Sequence, residues 1–90
     1  MSKYKFELGT LVVITKSGQV YDTYPLGSSI APNFKLGQEP DNNSVGKIIK
    51  RIKHINYDRN LYVVRVNTTD FIMDEIGIQK VSKLTYELLR

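Results

Sequence analysis

The sequence predicts a mainly β protein, a single small antiparallel barrel, and three observations carry that prediction. Two runs, GTLVVIT (9 to 15) and NLYVVRVN (60 to 67), are short and rich in β-branched residues, the chemistry of a pleated, half-buried strand. Turn-forming residues recur at KSG, YDRN and NTTD, so the elements between them are brief. A chain of 90 residues makes one domain, 1 to 90, with room for one core.

In order along the chain, residues 9 to 15 form the first strand, with Val12 and Ile14 facing inward and Leu11, Val13 and Thr15 facing the other side. KSG (16 to 18) turns the chain, and QVYDTY (19 to 24) reads as a second strand or an ordered loop edge that Pro25 closes. PLGSSIAPNFKLGQEPDNNS, about 25 to 44, holds all three prolines and little periodicity, and is a long loop. Loops of that length in compact domains are usually functional or disordered. Its apolar members Leu26, Ile30, Phe34 and Leu36 are expected to pin it onto the barrel.

KIIKRIKHI (47 to 55) admits two readings. Ile48, Ile49, Ile52 and Ile55 fall on one face of a helix. Against the helix stand four β-branched residues, Gly46 in its first turn, Lys47 at the positive end of the dipole, and no acid placed to pair with the lysines. A strand pairing across the YDRN turn with residues 60 to 67 is the favoured reading. Its isoleucines change parity partway, which a β-bulge near residues 50 to 53 repairs. In NLYVVRVN, Tyr62, Val64 and Val66 share one face. FIMD is a short strand, DEIG a single 3₁₀ turn, and GIQKV the last strand, with the core barrel ending near residue 82. SKLTYELLR (82 to 90) is a short C-terminal helix or a docked tail, with Ser82 placed to cap it.

Composition narrows the function classes. With 41 % apolar and 24 % charged residues the chain matches an ordinary soluble domain. Without cysteine there is neither a disulfide framework nor a Cys-based zinc site, and the single His54 cannot build a metal centre. MSKYKFELG lacks the apolar core of a signal peptide, and no run approaches the roughly 18 apolar residues of a membrane span, so a cytoplasmic protein is expected. No phosphate-binding glycine loop, nucleophile elbow or metal-ligand spacing occurs, and the Asp74–Glu75 pair reads as charge at a helix start. Neither an enzyme nor a cofactor nor a small-molecule substrate is expected.

The net charge of +4 is concentrated. Residues 1 to 44 sum to zero and residues 66 to 90 to −1, whereas residues 45 to 65 carry +5. Lys47, Arg51 and Lys53 share a strand parity, the bulge decides whether Lys50 joins them, and Arg65 on the next strand extends the face. Tyr57 and Tyr62 stand close by as stacking residues. Several cations beside aromatic rings suit phosphate binding with base stacking. Set against this, lysines on strands also keep edges soluble.

The order of these elements resembles SH3-like small β-barrels. A glycine-opened strand (Gly9, Val12, Ile14), a long loop, a G-x-I entry (Gly46, Ile48), a Y-x-V-x-V strand (Tyr62, Val64, Val66) and a final I-x-x-V strand (Ile78, Val81) carry the likeness over residues 9 to 82. It is nearest to the KOW-type barrels of transcription and translation factors and to phage-encoded SH3-like proteins, the latter for the Tyr21–Tyr24 run. The long insertion before Gly46 departs from the KOW pattern, and the lack of tryptophan departs from peptide-binding SH3 domains. The resemblance implies an SH3-like fold and a small phage-type or bacterial regulatory protein. The expectation is a binding module whose basic strand pair engages nucleic acid, a nucleic-acid-handling complex or an acidic protein surface. The competing expectation is an adaptor or inhibitor that binds a partner protein through the long loop and barrel rim. The helix reading of 47 to 55 would favour a membrane anchor, and no membrane partner is expected from the strand reading.

Overall fold

The computed structural model describes residues 3–16, 20–21, 31–35, 37–53 and 60–81. Among these residues six strands, β1 (Leu11–Ile14), β2 (Val20–Tyr21), β3 (Val45–Lys53), β4 (Asn60–Val66), β5 (Thr69–Asp74) and β6 (Ile78–Lys80), make one antiparallel sheet in the order β2-β5-β4-β3-β1-β6. The sheet is open, with β2 and β6 at its edges. The fold is mainly β. A 3₁₀ turn, Glu75–Gly77, joins β5 to β6, and the Asp74 carboxylate caps it by accepting the Ile76 N–H at 3.1 Å.

KIIKRIK folds as strand. Its β-branched residues fit the pleat, and pairing with β4 satisfies its backbone hydrogen-bonding groups. The bulge lies between Ile48 and Lys50, slightly before the expected 50 to 53. Ile48 stands opposite Val64 and Lys50 opposite Val63, so Ile49 is the extra residue. Ile48 enters the larger core, while Ile49 and Ile52 pack on the other face of the sheet. His54, residues 57 to 59 of the YDRN turn and the tail 82 to 90 lie outside the described residues, as do Leu26, Ile30 and Leu36 of the loop.

Among the described residues two apolar clusters lie on the two faces of the sheet. Phe6, Val12, Ile14, Ile48, Tyr62, Val64, Phe71, Met73 and Ile78 form the larger one. Its members come from β1 and β6 at one end and β5 near the other, so the sheet bends around it. Ala31, Leu61, Val63 and Ile72 form the smaller cluster, with Phe34, Ile49 and Ile52 packed against it. The long loop supplies Ala31 and Phe34, and Phe34 makes a parallel bridge to Asp70 of β5. Pinning by Phe34 therefore matches the expectation. Central β4 is consequently covered on both faces from Asn60 to Val64.

Residues 3 to 8 precede the expected first strand, yet they supply a core residue. Phe6 is buried, and its ring meets Tyr62 edge to face at 5.4 Å between centroids. The core thus begins before residue 9.

Gly46 sets how closely β3 and β4 approach. A Cβ there would lie 2.6 Å from Val64 Cγ1, 2.8 Å from Val66 Cγ2 and 2.9 Å from the Arg65 carbonyl oxygen. The last of these neighbours is backbone and cannot swing aside. Gly46→Ala is expected to destabilise the protein by about 1–3 kcal/mol through overpacking, read as a lower denaturant midpoint at unchanged m-value. An unchanged midpoint would show that the two strands do not meet so closely.

Candidate binding surface

Directly opposed residues of an antiparallel pair share a face, so the β3–β4 register sorts the basic side chains. Lys47 opposes Arg65 and Lys50 opposes Val63, which puts these three cations on the side of the smaller cluster. Arg51 opposes Tyr62 and Lys53 opposes Asn60, on the side of the larger cluster. Sequence parity alone joins Lys47 to Arg51 and Lys53. The extra residue at Ile49 reverses that grouping, because it advances the alternation by one step.

On the first side, Lys47 and Lys50 are exposed. Arg65 is held differently. Its Nε donates to Asp70 Oδ1 at 2.8 Å and its Nη2 donates to Asp70 Oδ2 at 3.1 Å, a two-pronged pairing across the β4–β5 hairpin. The Asp70 side chain is fully buried while that of Arg65 is 38 % exposed. Asp70 Oδ2 also accepts the Asn33 N–H at 3.0 Å, and the Asp70 N–H donates to the Asn33 carbonyl at 3.1 Å. The hydrogen bond to Asp70 raises the Arg65 pKa further above its ordinary value. Asp70 therefore ties the long loop to β5, and Arg65 supplies the counter-charge to that buried carboxylate.

On the second side, Arg51 and Lys53 stand beside a half-buried ring, that of Tyr4. The Arg51 guanidinium carbon is 4.9 Å from the Tyr4 centroid and Lys53 Nζ is 5.5 Å from it, both at cation–π range. Lys5 Nζ lies 5.5 Å from the centroid of the Phe6 ring. Glu7, almost fully exposed, approaches Arg51 at 3.9 Å.

A polar hub fixes the arm that carries Tyr4. The Lys5 and Phe6 N–H groups donate to the Tyr62 hydroxyl oxygen at 2.8 and 3.2 Å, and the Tyr62 O–H donates to the Glu75 carboxylate. The Lys5 N–H is shared with Glu75 Oε2 at 3.0 Å. Asn60 Nδ2 donates to the Lys3 carbonyl at 2.8 Å, and Asn60 Oδ1 accepts from Lys53 Nζ. Burial and the bond to Glu75 push the Tyr62 hydroxyl up to about 12. The backbone is thus tied on both sides of Tyr4.

Tyr62 is wholly buried in the larger cluster and offers no face to a base, which corrects its reading as a stacking residue. An aromatic residue in a basic segment suggests an available ring, but β4 is covered on both sides. Tyr57 lies outside the described residues. Among the described residues, the ring that stands beside the β3 cations is that of Tyr4. Its signal in the sequence is the alternation of Tyr4 and Phe6 in KYKFEL, ahead of the first glycine.

No protein family matches the chain, and no curated protein or solved structure shows significant similarity to it.

Proposed function

We propose that the protein is a non-enzymatic binding module with an SH3-like fold that engages nucleic acid through the basic side chains of β3. The fold reading draws on the order of elements: strand, long loop, three consecutive strands, a 3₁₀ turn and a closing strand beside β1. The functional reading is carried by one observation. The positive excess of the chain falls on β3 and its flanks, and two of its cations flank the ring of Tyr4. Phosphates attract such a group without a sequence code, and a nearby ring adds contact with a base. A phage-type or bacterial regulatory role in the cytoplasm is the setting we propose for it. An acidic protein surface would draw on the same lysines and is the alternative partner.

Charge reversal tests this. In Lys50→Glu/Arg51→Glu/Lys53→Glu, binding of labelled oligonucleotides followed by anisotropy is expected to weaken by tenfold or more at low salt. The slope of log affinity against log salt should fall by about 0.7–0.9 for each phosphate that the variant no longer neutralises. Circular dichroism and thermal melting check that the variant is folded. A folded triple variant that binds as tightly as the parent would remove the reading.

A further inference from the structure

We propose that Tyr4, Arg51 and Lys53 form a subsite for an unpaired base and its phosphates, so that the ligand is single-stranded nucleic acid. This inference rests on the nucleic-acid reading above and goes beyond it by naming the strand state.

Three features of the arm converge on it. Tyr4 is partly open to solvent, while its neighbour Phe6 is buried and anchors the segment. The Tyr4 ring contacts Tyr62 edge to face at 5.9 Å, which fixes its tilt. The hydrogen bonds at the Lys3 carbonyl and the Lys5 N–H hold the backbone on either side of it. Ordering a tyrosine this way in advance lowers the entropy lost on binding. The two cations share one face of β3 and stand over the Tyr4 ring, so a base stacked on that ring or on the Arg51 guanidinium brings its phosphates beside both charges. A planar guanidinium can itself stack on a base and bind a phosphate, which an ammonium cannot do.

The chemistry discriminates. A duplex presents phosphates but keeps base faces within its own stack, so it can use the cations and not the ring. A single strand uses both, and each stacked base adds about 1–3 kcal/mol, equivalent to roughly 5- to 150-fold in affinity. Glu7 sits at the edge of the same site and opposes a polyanion, which makes binding there selective for a ligand that gains from the ring as well as from charge.

The test uses the whole protein with two probes, an oligothymidylate of about ten nucleotides, in the range of a small single-strand site, and a hairpin duplex of similar charge. The parent is expected to bind the single strand more tightly. Tyr4→Leu, which keeps apolar bulk over Tyr62, should lose at least fivefold on the single strand and less than twofold on the duplex. Tyr4→Phe should retain the preference. Because the chain has no tryptophan, Tyr4→Trp places a lone indole fluorophore in the subsite, and stacking should quench it on addition of the single strand but not of the duplex. Equal losses on both probes, or an unquenched Tyr4→Trp that still binds, would overturn the subsite while leaving the nucleic-acid reading in place. Failure of the parent to bind either probe at low salt would overturn both and turn the search to acidic proteins.

Discussion

Asp70→Ala is expected to cost about 2–3 kcal/mol, and Arg65→Ala more. The asymmetry follows from where the two ends of the pair lie. Removing the carboxylate leaves the Asn33 N–H without its partner and a guanidinium that water can still reach at its 38 % exposed side chain. Removing the guanidinium leaves a carboxylate with no exposed side-chain surface and its main counter-charge gone, which is the costlier way to break such a pair. A domain of this size has only about 5–13 kcal/mol of total stability, so either loss is large. The double variant Arg65→Ala/Asp70→Ala should be more stable than Arg65→Ala alone, since no charge then stays buried. Urea unfolding of the four proteins checks the order. If Asp70→Ala proves the worse single variant, the burial of the carboxylate is not what sets the cost. The result also bears on function: weakened ligand binding by an Arg65 variant has to be separated from loss of folding, a problem that does not arise for exposed Lys47 and Lys50.

Tyr62→Phe is the second large effect. The substitution keeps the ring in the core but removes the oxygen that accepts the Lys5 and Phe6 N–H groups and donates to Glu75. About 1–3 kcal/mol should be lost near neutral pH. The pH dependence identifies the source. The hydroxyl is raised to about 12 in the folded protein, against 10 for an ordinary tyrosine. Above pH 10 the unfolded chain therefore releases this proton first, and folding stability falls as pH rises towards 12. The stabilisation is fully present below pH 10 and decreases by about 1.4 kcal/mol per pH unit through that window. Tyr62→Phe lacks this proton, so the stability gap between parent and variant should narrow between about pH 10 and 12. A gap that stays constant there would mean that the hydroxyl titrates normally and that the hub is not closed in solution.

How much of this is legible in the sequence depends on the range over which the information is spread. Val12 and Ile14, the strand character of 47 to 53 and the 3₁₀ turn after Asp74 all follow from neighbours a few residues away, and they appear where expected. The parity change in the isoleucines announces a bulge. Its place is set by Ile48 meeting Val64 and Lys50 meeting Val63, which the β3 sequence alone does not contain. The sum of positive charge in 45 to 65 treats Arg65 as available, because its partner Asp70 lies across a hairpin and not on the same face of a helix. Tyr62 shows the same limit from another side. Its neighbours Leu61 and Val63 predict burial of one face, and the other is covered by residues distant in sequence, Phe6 of the arm and Met73 of β5 among them, with Glu75 at the hydroxyl.

The arm has a consequence for how the molecule assembles. β3, β4 and β5 follow one another and pair as successive neighbours, so their pairing closes short loops early. The hydrogen bonds of Lys5 and Phe6 to Tyr62, and of Lys5 to Glu75, span 56 to 70 residues. They can form only when the strands that carry their partners are in place, and they close a long loop when they do. The arm is expected to be laid onto the sheet late and to lift early. The loss in Tyr62→Phe should accordingly appear as faster unfolding at a nearly unchanged folding rate. Tyr4 travels with that arm, so lifting of the arm is expected to take its ring away from Arg51 and Lys53.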